Sequence, residues 1–95
     1  MKLITVEASF AAKDINSAIG LFTDQAQTVR KMSGCAHYEI YCKPSNDGIA
    51  IIQHWETMKQ FDVYRASETF ARLGAGLRPK MTSAPVTTVA EIDKQ

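Results

Sequence analysis

Along this chain the hydrophobic period switches between two and about 3.6 residues in a fixed order, and that order leaves few folds open. Ile4, Val6, Ala8 and Phe10 alternate with Thr5, Glu7 and Ser9, the pattern of a half-buried strand over residues 2–10. From Asp14, a candidate helix cap, Ile15, Ala18, Ile19, Phe22, Ala26, Val29 and Met32 recur at spacings of three and four and predict one apolar helical face. Gly34 follows, where a left-handed helix stop is usual. Residues 35–43 (CAHYEIYCK) and 49–56 (IAIIQHWE) read as strands, and PSNDG between them, residues 44–48, predicts a hairpin. Thr57 and Gln60 form a capping box. Phe61, Tyr64, Phe70, Leu73 and Leu77 carry a second helical stripe, which Ser67 can restart. Gly74 and Gly76 weaken that stripe and Pro79 ends it. Residues 85–92 complete the pattern as a last strand.

The order is β-α-β-β-α-β. With short connections and right-handed crossovers it predicts an α+β, ferredoxin-like domain over residues 1–95, a four-stranded antiparallel sheet with its helices on one face. Ninety-five residues bury a modest fraction of their surface. The other sheet face would lie bare, and a second copy covering it predicts a homodimer.

The formal net charge of +1 gives no electrostatic reason to expect nucleic acid or an anionic membrane as a partner. MKLITVEASF lacks the features of a secretory signal, and no apolar run approaches the ~18 residues of a membrane span, so the expected location is cytoplasmic. Cys35 and Cys42, on one strand, would stand about 23 Å apart at ~3.3 Å per residue and point to opposite faces, which rules out a mutual disulfide.

The run Gly34-Cys35, Tyr38-Glu39-Ile40-Tyr41, Trp55-Glu56-Thr57 and Ser67 through Phe70 resembles the antibiotic-biosynthesis-monooxygenase-like family over nearly the whole chain. The resemblance implies a homodimer whose two sheets pack face to face into an α/β barrel. It implies chemistry drawn from cofactor-free oxygenation of quinols and polyphenols, heme degradation or isomerisation. Heme-degrading relatives place a histidine shortly after the phenylalanine and an asparagine on the first strand. Here Phe70 is followed by Ala-Arg-Leu-Gly, and Glu7 stands at the asparagine position. Polyketide oxygenases carry an asparagine four residues before the tryptophan, where this chain has Ile51.

Pairing Lys43 with Ile49 around PSNDG puts His37, Glu39, Tyr41, Ile49, Ile51, Gln53 and Trp55 on one face. Ala36, Tyr38, Ile40, Cys42, Ala50, Ile52 and His54 fall on the other, which would be the dimer core. A one-residue slip would instead bring His54 beside His37. On the first register His37 is a candidate general base with Glu39 beside it, and Trp55, Gln53, Tyr64 and Phe70 are candidate substrate-binding residues. No HExxH, CxxC or phosphate loop occurs, the histidines and cysteines lack metal-ligand spacing, and neither a metal nor a cofactor is expected. The leading expectation is a cofactor-independent monooxygenase acting on a small aromatic. A non-oxidative isomerase of the same fold and a non-catalytic binding barrel are the alternatives.

Overall fold

The computed structural model describes residues 1–93. Strands β1 (Lys2–Ser9), β2 (Cys35–Cys42), β3 (Gly48–Trp55) and β4 (Val86–Glu91) form one antiparallel sheet in the order β2-β3-β1-β4. Helix α1 (Ile15–Arg30) joins β1 to β2. Helices α2 (Met58–Arg65) and α3 (Glu68–Leu77) join β3 to β4. The α+β, ferredoxin-like arrangement expected from the hydrophobic periods is present.

The period-3.6 stripe of α1 supplies Ile15, Ala18, Phe22, Ala26 and Val29 to the core. They meet Ile4 and Ala8 from β1, Ile49, Ile51 and Trp55 from β3, and Phe61, Tyr64, Leu73 and Leu77 from α2 and α3. Asp14 does not cap α1 through its side chain, because a single 3-10 turn over Ala12–Asp14 feeds directly into the helix. The second helical region breaks in two as Ser67 predicts, its hydroxyl accepting from the Phe70 N–H at 3.2 Å. Thr57 caps α2 by accepting from the Gln60 N–H at 3.2 Å. The Gln60 side chain does not complete the box on the Thr57 backbone. Its Oε1 accepts from the Thr57 hydroxyl at 3.1 Å, and its Nε2 reaches the Ser33 hydroxyl at 3.4 Å.

The hairpin register differs from the expected one by a residue. Cys42, not Lys43, stands opposite Ile49, and His37 stands opposite His54. The cause lies in the turn. Lys43 already pairs with Gly48, its N–H donating to the Gly48 carbonyl at 2.9 Å, so the loop proper is Pro44–Asp47. Asn46 supplies the left-handed residue at φ 60°. Gly48 belongs to the strand instead, where a Cβ would come within 2.8 Å of the Lys43 side chain and 3.3 Å of the Ala8 carbonyl. Side chains alternate, so the slip turns residues 37–42 of β2 over. Tyr38 is buried on the helix side with Ile40 packed beside it, while His37, Glu39 and Tyr41 occupy the helix-free face with Ala50, Ile52 and His54. Tyr38 and Ile40 are therefore not part of that face.

A bulge between Cys35 and His37 then shifts the pairing by one more residue, which sets Cys35 opposite Trp55 and turns it back to the helix side. It places Cys35 and Cys42 on the same side of the sheet rather than opposite sides, and both are free thiols. Strand β4 is exposed along its whole length, and its last residue, Glu91, is held by Lys2 at 2.5 Å and the N-terminal amine at 2.9 Å. Those two cations hold the exposed Glu91 carboxyl down at about 2. No helix among the described residues is long and apolar enough to cross a membrane.

Candidate functional site

On the helix side of β3 the alternation places Gln53 and Trp55 in one row, both buried. The Trp55 indole N–H donates to Gln53 Oε1 at 2.9 Å, which satisfies the one polar atom of the buried ring and fixes its orientation. Capping of α2 at Thr57 sets the helix phase so that Phe61 and Tyr64 turn inward. Tyr64 stacks on Trp55, ring centroids 5.4 Å apart and planes 19° from parallel, and Phe70 from α3 meets Tyr64 edge-on at 5.3 Å. The slipped β2 register adds Tyr38, whose ring stands edge-on to Tyr64 and whose hydroxyl lies 3.1 Å from the Tyr64 hydroxyl.

Burial is the main cause pushing both phenols above the ordinary tyrosine value, Tyr38 far above it. Each favours its neutral form, Tyr38 further by its neighbour Tyr64. The pair is a hydrogen-bonding element and not a base at neutral pH. It holds two hydroxyl protons and makes one mutual bond, and no other hydrogen bond of either hydroxyl is formed within the described residues. One proton is left to donate.

A groove of about 560 Å³ opens beside this cluster. Met32 and Ser33, from the turn after α1, form one wall, and Lys59, Gln60, Val63 and Tyr64 from α2 form the other. Trp55 does not line it. Tyr64, stacked on the indole, does, so a ligand in the groove meets Tyr64 first. The turn itself depends on Gly34, at φ 86°, whose carbonyl accepts from the Glu56 N–H at 2.9 Å.

Of the residues singled out from the sequence, Trp55, Gln53, Tyr64 and Phe70 are gathered in this one cluster. His37 and Glu39 are not with them. The register slip puts both on the opposite face, where Glu39 pairs with Arg30 at 3.3 Å. The expected shared face of imidazole, carboxylate and indole does not form. Tyr38 is the member of the cluster that the expected register assigned to the other face, and Phe61, on the second helical stripe, joins it beside Trp55 and Tyr64. The signal for Tyr38 was the one-residue slip itself, which brings His54 beside His37, ring centroids 4.8 Å apart. Burial, then the neighbouring His37, lowers the pKa of His54 below the usual imidazole value.

The family model for antibiotic biosynthesis monooxygenases matches residues 6–75, a span that contains the second half of β1, α1, the hairpin, α2 and most of α3. The chain belongs to the antibiotic biosynthesis monooxygenase family. Solved structures agree on the fold. One antibiotic biosynthesis monooxygenase superposes with a TM-score of 0.90 at 15% identity, covering 99% of this chain and 100% of its own. A proposed family monooxygenase from Deinococcus radiodurans gives 0.88 at 20% identity, covering 100% and 95%. Another from Caulobacter crescentus gives 0.89 at 18%, covering 98% and 90%. No curated protein matches in sequence. At these identities the structures establish the fold and leave the chemistry to the site.

Proposed function

We propose that this member of the family binds a small hydroxylated aromatic in the groove ending on Tyr64 and oxygenates it as a cofactor-independent monooxygenase of the quinol or polyphenol type. The observation that carries the reading is the uncommitted hydroxyl proton of the Tyr38–Tyr64 pair beside an otherwise largely apolar groove. A neutral phenol held in place by a second phenol, by Trp55 and by Phe70 is a pre-oriented donor for an oxygen that gains negative charge. An electron-rich quinol supplies the electrons. One oxygen atom of O₂ enters the substrate, and the other leaves as water with two substrate hydrogens.

A second reading, a barrel that binds such a ligand without chemistry, is favoured by one feature. The ionisable groups lining the groove are Lys59 and the neutral Tyr64, with neither a carboxylate nor an imidazole among them. An isomerase using His37 and Glu39 would need a different site, because both lie across the sheet. Trp55 is the only tryptophan, so its fluorescence reports occupancy next to Tyr64. Saturable quenching by a hydroquinone, accompanied by oxygen uptake, supports the oxygenase. Quenching without uptake supports the binding barrel, and no quenching by any quinol in a panel refutes both.

We also propose a homodimer formed through the helix-free face. Leu3, Thr5, Ala50 and Ile52 run along its centre. Its two acids are already neutralised, Glu7 by Lys43 at 3.5 Å and Glu39 by Arg30 at 3.3 Å. A second copy of the face therefore meets small and apolar side chains without a like-charge penalty, and the exposed Val86 of β4, opposite Glu7, extends the area it can cover.

A further inference from the structure

On the helix-free face, at the end of the hairpin away from its loop, His37 and His54 occupy directly opposed strand positions. Their rings lie 4.8 Å apart, centroid to centroid, tilted by 36°. Both side chains are half-buried. Among the described residues no backbone or side-chain group hydrogen-bonds to any of their four ring nitrogens. Two imidazoles held in ring contact, partly exposed and with every nitrogen unclaimed by protein, are available to a ligand from solvent.

We propose that His37 and His54 form a bidentate site for a divalent cation of the zinc type on this face. Imidazole suits zinc, and Zn–N bonds of about 2.0–2.1 Å in a tetrahedral shell set two ligating nitrogens roughly 3.3 Å apart. Rings with centroids 4.8 Å apart reach that separation by small side-chain rotations that turn one nitrogen of each toward the other. Opposed positions on adjacent strands fix both Cβ atoms, so little freedom is lost on binding.

The Arg30 guanidinium lines the same depression as His37, and its charge is met by Glu39 at 3.3 Å. The flanking Leu3 and Ile52 offer no donor. Water completes the shell in a single chain. In a face-to-face dimer, imidazoles of the second copy can replace that water.

The test is a zinc chloride titration of chelator-stripped full-length protein, followed by calorimetry and by the ring ¹⁵N resonances of both histidines. The expected result is saturation at one zinc per chain, or one per two chains in the dimer, with both rings shifting together. His37→Gln and His54→Gln should each weaken binding by more than the roughly 10–100-fold that loss of a mere outer-shell partner costs. Cys42→Ser should bind like the wild type. Circular dichroism of each variant separates loss of the site from loss of the fold. No saturable binding, or binding that survives either histidine substitution, overturns the proposal.

Discussion

Gly34→Ala tests whether the turn that forms one wall of the groove is held as described. Gly34 has φ 86°, a region that costs an L-residue about 1–2 kcal/mol. An added Cβ would also fall 2.2 Å from Gln60 Oε1 and 2.8 Å from Gln60 Nε2, so the Gln60 side chain must swing away. That breaks its contacts to the Thr57 hydroxyl and to Ser33, exposed bonds worth roughly 0.5 kcal/mol each at the low end of the usual range. A more restricted unfolded chain returns about 0.4–1 kcal/mol. The balance is a loss of about 1–2.5 kcal/mol, which in a domain this small lowers Tm by roughly 5–20 °C. Gly20→Ala is the control. Gly20 lies inside α1 with nothing within 4 Å of the new methyl, so the change should stabilise by about 0.5–1 kcal/mol and raise Tm by a few degrees. Thermal melts of both variants at one fixed protein concentration settle it. A Gly34→Ala protein that melts at or above the wild type would refute the account of this turn.

Ile52→Asp, which sets a charge at the centre of the helix-free face, should shift sedimentation at micromolar concentration from dimer to monomer, while Lys59→Asp on α2 leaves the mass unchanged; an intact Ile52→Asp dimer would rule out that face. Ile40→Asp should instead unfold the chain, since Ile40 packs against the core. Stability should also fall as pH rises past about 10, where unfolded tyrosines ionise and the buried Tyr38 and Tyr64 resist doing so. The unfolded state then holds fewer protons than the folded one, which gives the negative slope. Denaturant midpoints at pH 8 and pH 11 measure it, with Tyr38→Phe/Tyr64→Phe showing a shallower fall, and equal falls in both proteins would count against this assignment.

The fold was legible because each element carries its own period. The Ile4-Val6-Ala8-Phe10 alternation and the Ile15-to-Met32 stripe each have one face to bury, and both bury it as the spacing requires. The hairpin was not fully legible because two of its residues can each end the turn. Gly48 looks like the left-handed residue, yet Asn46 takes that role and Gly48 is spent on a close backbone approach. One residue of difference at the loop exchanges Tyr38 for His37 at the cluster, and both faces of β2 carry large polar rings, so hydrophobicity alone does not choose between them. The bulge at Ala36 has no marker in the sequence. Trp55, Gln53, Tyr64 and Phe70 were legible because β3 and the second helical region do not depend on that turn.

Steady-state oxygen uptake with a panel of hydroquinones, in buffer containing a metal chelator, tests the central claim most directly when wild type and Tyr64→Phe are compared side by side. The account predicts saturable uptake by the wild type with at least one quinol, and a kcat about 10²–10³-fold lower in Tyr64→Phe, the usual cost of removing one pre-oriented donor to a developing oxyanion. Uptake no faster than the buffer blank with every quinol, or a Tyr64→Phe protein as active as the wild type, would contradict it.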